Sequence, residues 1–153
     1  MQRRRSGAAL AFAAVLAAVI PGTAVAGAEA PQHCTYDLGT GVQQCFGSAE
    51  RARSAVLAGE VVQATLFDNR DFGGDSFTVY GEAPCEKDGV VNYQLDLPDE
   101  WKNRVSSVQP WGNCWIWLYP EPGLGGDRDG PFKENTGHVG DLMDDRTQSI
   151  GLS

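Results

Sequence analysis

An internal repeat constrains this chain more than any other feature. Leu66-Phe67, four residues, then Phe72-Gly73-Gly74-Asp75 is matched by Leu118-Tyr119, four residues, then Leu124-Gly125-Gly126-Asp127. Downstream, WKNRVSSV from Trp101 is matched by MDDRTQSI from Met143. The landmarks recur in the same order, as they do when one supersecondary unit is used twice. The first copy carries an insertion between its landmarks, APCEKDGVVNYQLDLP, which contains Cys85. Each copy reads as a hairpin folded over its own sheet. An aromatic (Phe67, Tyr119) packs on the large apolar residue five positions later (Phe72, Leu124). The glycine two further on (Gly74, Gly126) takes a positive φ and lets the hairpin bend back. One copy leaves its apolar face uncovered, whereas two facing copies make a sandwich core.

The surrounding texture agrees. VVQATLF, SFTVY, VSSVQPW, CWIWLY and SIGL read as strands separated by turn-rich segments at all-β spacing. In NCWIWLYPEPGLGGDRDG, from Asn113 to Gly130, the aromatic cluster is a central strand and the Pro-Gly run is the folded corner after it. Trp115 and Trp117 share a face by period two and are expected in the core. The texture differs before Val61. Cys34 and Cys45 close a small loop with Gly39-Thr40-Gly41 as its turn, and Ser48 caps a short helix, AERARSAVLA, ended by Gly59. Ala52, Ala55, Val56 and Ala58 make a modest apolar stripe, so this helix is expected as an outlying appendage. The expected organisation is therefore a signal peptide at 1–26, a disulfide loop and helix at 27–60, and an all-β sandwich at 61–153 with motifs 61–110 and 113–153.

The signal peptide rests on Arg3, Arg4 and Arg5, an apolar run from Gly7 to Ile20, a break at Pro21-Gly22, and Ala24-Val25-Ala26 as a small-x-small cleavage site. Ala28-Glu29-Ala30 is a second possible site. The apolar run is shorter than the ~20 residues a bilayer span needs, and no lipobox precedes Cys34. The expectation is a secreted, extracellular protein. Removing residues 1–26 takes away three arginines and no acid, moving the net charge from −8 to −11. That argues against nucleic acid and anionic membranes as partners. An even cysteine count in an oxidising compartment reads as two disulfides, and local spacing favours Cys34–Cys45 with Cys85–Cys114. Zinc is disfavoured, because the cysteines form no C-x-x-C pair and His33 and His138 lie far apart.

Aromatic–x4–aromatic–x–Gly, used twice, each followed by an Asn/Asp-rich turn before a Ser-bearing strand, resembles the βγ-crystallin Greek-key domain over roughly residues 61–153. GNCWIWLYPEPGLGG is similar to the start of that family's second motif. The N-terminal region looks like the leader of secreted actinobacterial relatives. The resemblance implies a βγ-crystallin-like sandwich of two Greek-key motifs. It also implies calcium binding through Asn/Asp-Asn/Asp-x-x-Ser/Thr-Ser, whose oxygens suit a hard cation. The first copy, Lys102-Asn103-Arg104-Val105-Ser106-Ser107, keeps Asn103, Ser106 and Ser107 but has Lys102 at an acid position. The second, Asp144-Asp145-Arg146-Thr147-Gln148-Ser149, keeps both acids but has Gln148 at the hydroxyl position. Family sites also borrow oxygens from the folded hairpin, which nominates Asp68 in one repeat and Pro120-Glu121 in the other. The implied ligands are Asp68, Asn103, Ser106, Glu121, Asp144, Asp145 and Gln148, holding calcium weakly. The bland reading of the same residues is that they cap turns.

No catalytic constellation assembles. His138 has Asp141 nearby, but G-x-S-x-G and H-E-x-x-H motifs are absent, and the paired acids sit in hydrophilic turns. The expectation is a monomeric, non-enzymatic module. The rival reading is a secreted peptidase inhibitor or antimicrobial protein, since streptomycete metalloproteinase inhibitors and small secreted antifungal proteins share the implied fold. An inhibitor needs a rigid exposed loop against an extracellular protease, and EKDGVVNYQLDLPDE, tethered by Cys85, is the candidate.

Overall fold

The computed structural model describes residues 29–56 and 58–153. The expected signal peptide and its cleavage sites around residue 26 lie outside these residues. Among these described residues nine strands, one α-helix and one 3-10 turn follow in order. They are β1 (His33–Asp37), β2 (Gln43–Phe46), α1 (Ala49–Ala55), β3 (Val61–Phe67), the turn Arg70–Phe72, β4 (Ser76–Gly81), β5 (Tyr93–Asp96), β6 (Ser107–Pro110), β7 (Ile116–Tyr119), β8 (Asp129–Phe132) and β9 (Ser149–Leu152). They form two sheets, of order β2-β1-β4-β3-β6 and β5-β9-β7-β8. The all-β sandwich expected from the repeat is the observed class.

The sheets exchange strands. β5 belongs to the first repeat by sequence, yet it pairs with β9 of the second, Leu95 opposite Ile150. In return Thr136 of the second repeat bridges Val108 of β6 in the first sheet. Each repeat is thus a Greek key whose third segment crosses to the partner sheet. The core between the sheets follows from the period-two alternation of each strand. Leu66 (β3), Phe77 and Val79 (β4), Val108 (β6), Ile116 and Leu118 (β7), and Ile150 and Leu152 (β9) are all buried. Trp101 packs on Phe77 with ring centroids 5.3 Å apart, and Met143 holds the matching position in the second repeat, also buried. Phe67 and Phe72 meet edge-on at 5.7 Å, as the folded-hairpin reading requires.

Two expectations change. Trp115 and Trp117 do share a face, but it is the outer one. Ile116 and Leu118 fill the core from β7, while Lys133 caps the Trp115 ring at 3.9 Å and Arg128 caps Trp117 at 3.8 Å. Period two identifies a shared face without saying which one is inward. The segment before Val61 also adds two strands, β1 and β2, to the first sheet. β1 runs parallel to β4, Thr35 opposite Thr78, and separates it from β2. The helix is shorter than expected. Ser48 accepts the Arg51 N–H as its N-cap, and regular structure ends at Ala55 rather than continuing to Gly59. Both expected disulfides form, Cys34–Cys45 and Cys85–Cys114.

Candidate functional site

The site is built from the repeated serines. Ser107 accepts the Phe72 N–H at 3.0 Å and donates to the Asn69 carbonyl at 2.6 Å. Ser149 does the same in the second repeat, accepting from Leu124 N at 3.0 Å and donating to Glu121 O at 2.6 Å. Each hydroxyl therefore pins the folded corner of its own repeat onto its last strand. Pinning matters because the corner is conformationally demanding. Phe72 and Leu124 adopt positive φ (63° and 59°), as do Gly74 and Gly126 (73° and 77°), and only glycine enters that region at low cost.

Just before these serines the two motifs meet each other. The Asn103 N–H donates to Thr147 O at 2.8 Å and the Asp145 N–H to Val105 O at 3.2 Å, with Asn103 at φ 59° and Asp145 at φ 56°. A local two-fold thus relates the motifs. In consequence the six residues of one motif do not converge on a common point. Asp144 of the second motif lies beside Ser106 of the first, and Lys102 of the first is the two-fold mate of Asp144.

Asp144 is the most engaged of the expected ligands. Its Oδ2 meets the Arg70 guanidinium at 2.9 Å and His138 Nε2 at 3.2 Å, with only 21% of the side chain exposed. Oδ1 is buried and accepts no hydrogen bond of standard geometry. The Ser106 hydroxyl acts on the carboxylate without meeting that geometry. Ser106 foremost, then Arg70 and His138 against an opposing desolvation cost, hold the Asp144 carboxyl below the usual carboxylate range. His138 therefore partners Asp144 rather than the nearby Asp141. At the symmetry-related position Lys102, 29% exposed, donates to Asp99 at 2.6 Å.

The remaining expected ligands are occupied or turned to other work. Asp68 accepts the Asp75 N–H at 2.7 Å through Oδ1 and binds Arg104 at 2.8 Å through Oδ2. Arg104 reaches Asp75 as well, at 2.7 Å, so one guanidinium ties both ends of the first corner. Glu121 contributes its backbone carbonyl to Ser149, and its side chain is solvent-exposed. Asn103 and Asp145 are exposed turn residues at positive φ. Gln148 bonds through its backbone, donating to Tyr119 O at 2.8 Å and accepting from Leu97 N at 2.9 Å.

Calcium needs six to eight oxygens at a common point. Among the described residues no three His, Cys, Asp or Glu side chains are grouped to hold a metal. The Asp144 carboxylate is already paired with Arg70, and an ammonium stands at its symmetry mate. As arranged, these residues do not fit calcium. Their geometry suits a set of internal ion pairs and turn locks. Sequence reasoning placed Arg104 beside the first site but overlooked Arg70 as a partner of these acids. Arg70, in DNRDFGG, carries no local signal, because its partner lies 74 residues away.

The insertion is only partly a loop. Residues 93–96 of it are β5, and the free part is the segment between Cys85 and Tyr93. Its base is held by the Cys85–Cys114 bond and by Asn113 Nδ2 donating to Cys85 O at 3.0 Å. Within it Glu86 N donates to Asn92 Oδ1 at 2.9 Å and Val90 N to Asp88 Oδ1 at 2.8 Å, leaving Val90 62% exposed at the tip. No helix among the described residues is long and apolar enough to cross a membrane.

Two interleaved Greek keys with serine-locked corners define an all-β, βγ-crystallin-like sandwich. No protein-family model matches the chain, and no curated protein does. Among solved structures, a βγ-crystallin domain from Clostridium beijerinckii is 14% identical, covering 59% of this chain and 95% of its own, with a TM-score of 0.46. One from Flavobacterium johnsoniae is 15% identical, covering 59% and 92%, with a TM-score of 0.45. The N-terminal domain of protein S is 21% identical, covering 60% and 94%, with a TM-score of 0.45. Such identities carry no ligand across to this chain.

Proposed function

We propose that this chain works outside the cell as a non-enzymatic crystallin-type module. In this reading it is a rigid, disulfide-braced scaffold whose own cations sit where its repeats would otherwise take calcium. The observation that carries the reading is the 2.9 Å pair between Arg70 and Asp144, joining the first folded corner to the second repeat's acidic turn. Two disulfides support the extracellular setting. Any calcium affinity of the native chain then lies well beyond the weak end of the extracellular range, ~10⁻³ M. Calorimetric titration of the purified chain with calcium tests this. Binding at micromolar concentrations would overturn it.

A second reading, a peptidase inhibitor, is favoured by one feature: the Glu86–Asn92 segment, held at its base by a disulfide and internally by side-chain-to-backbone bonds, with Val90 outermost. Pre-organisation of this kind lowers the entropic cost of binding. A panel of extracellular proteases tests it, with Val90→Asp as the specificity probe. Inhibition that survives the substitution, or none at all, removes the loop from consideration.

A further inference from the structure

α1 packs mainly on β1 and β2, at one margin of the first sheet's outer face. Between the helix and the exposed indole of Trp111 lies a groove of about 770 Å³. The residue types explain why it stays open. The helix presents Ala49 and Ala52 as its wall, and the floor is Thr65 and Thr78, so small side chains face short ones where a helix-on-sheet contact is normally filled to close packing. One end is bounded by the Phe67–Phe72 pair and the other by Trp111, which is 44% exposed. Trp111 is held in place because its Nε1–H donates to Thr65 Oγ1 at 3.2 Å, so the indole has its ring faces to offer rather than its donor. Gln109 adds a side-chain amide with no hydrogen bond among the described residues, and Arg53 reaches in from the helix with no ion-pair partner among them.

The charge of the lining is opposite to that of the chain. The chain has 20 acidic residues against 12 basic ones. The groove is lined by Arg53 and His33 and by no carboxylate. A pocket of this size with aromatic walls, a few polar groups and a cation that has no ion-pair partner among the described residues has the makeup of a small-molecule site. We infer that the groove is a binding site for a small organic anion, a carboxylate on an aromatic body, with its ring against Trp111 and its charge at Arg53. Trp111 provides the stacking surface, the Arg53 guanidinium provides a charge-assisted hydrogen bond, and Gln109 and the threonines line the polar floor.

The inference is independent of the calcium reading, because none of the groove residues belongs to the cation positions. The test is a ¹H–¹⁵N titration of the purified chain with 4-phenylbutyrate, with 4-phenylbutyramide and cellotetraose as comparison ligands. The expected result is saturable movement of the Trp111 indole and Ala52 amide signals, with Kd about 1 mM or tighter. The amide should bind about tenfold more weakly, and Arg53→Gln should lower the carboxylate's affinity by a similar factor while leaving the spectrum folded. Arg53 is exposed on a helix surface, so that variant keeps the test clear of folding defects. No movement with phenylbutyrate at 10-fold above that ~1 mM Kd overturns the site. Equal binding of acid and amide overturns the anionic ligand, and preferential binding of cellotetraose overturns the aromatic carboxylate.

Discussion

The fold depends on a few residues that each satisfy several groups at once. Ser107 and Ser149 are fully buried, and each bonds one N–H and one carbonyl of its own corner. Ser107→Ala or Ser149→Ala leaves two polar backbone groups unpaired, so each should cost ~2 kcal/mol in urea unfolding. The two values should agree closely because the geometry is the same. A loss under ~0.5 kcal/mol at either would show that the corners are held by other means. Gly74 and Gly126 carry the conformational side of the same argument. A side chain at Gly126 would place its Cβ 2.7 Å from the Pro120 ring, and one at Gly74 would strike the side chains of Asp68 and Asn69. Gly74→Val and Gly126→Val should each lose more than ~1 kcal/mol, by strain at positive φ as well as by contact. Melting temperatures unchanged in both variants would remove the argument. Asp37 sets an acid limit. The Thr40 hydroxyl foremost, then the Gly39 and Thr40 N–H groups, hold its carboxyl below the ordinary range against an opposing desolvation cost. A depressed native value means that this stabilisation is present above the unfolded carboxylate value of ~3.9 and fades as pH falls through the native value. Asp37→Asn should flatten the melting curve's dependence on pH below about 4; an identical acid limb in both proteins would contradict it.

The element scale shows what the sequence can and cannot reveal. The repeat was legible because its landmarks are local: an aromatic, an apolar residue five later and a glycine two beyond. Both disulfides were legible from spacing. The strands β3, β4 and β9 carry their own alternation and were read within a residue of their bounds. Less was legible wherever the partner is distant. Motif residues adjacent in sequence were expected to act together, but the local two-fold divides them, so that Ser106 neighbours Asp144 and the pairing of Asp68 with Arg104 closes a different contact. β1 shows the same limit, since nothing in HCTYD announces a parallel partner in β4. Its placement gives the N-terminal segment a structural role, because β1 covers the edge of β4. A chain beginning at Glu60 should therefore expose β4 as a new edge strand, melt at lower temperature and associate. A truncated chain that stays monomeric with an unchanged melting temperature would contradict this. Replacing Cys85 and Cys114, 29 residues apart, by Ser should cost ~3.5 kcal/mol in urea unfolding, the chain-entropy value for a loop of this span.

At the scale of the whole molecule, two repeats that each need closing are clasped by charges from across the local two-fold. Arg70 of the first repeat holds Asp144 of the second, while Lys102, the mate of Asp144, puts a positive charge where the symmetry would put a negative one. On the proposed reading these cations make a bound metal unnecessary. It follows that removing them should reveal one. Arg70→Ala frees the Asp144 carboxylate beside Ser106, and Lys102→Asp with Gln148→Ser restores the acid and the short hydroxyl at the other position. The most direct measurement is the melting temperature of the native chain and of the Arg70→Ala/Lys102→Asp/Gln148→Ser variant, each with and without millimolar calcium. The native chain should not respond. The variant should melt lower without calcium and regain several degrees with it, since a ligand that binds only the folded state stabilises it by mass action. A native chain that calcium stabilises, or a variant that calcium leaves unmoved, would contradict the account.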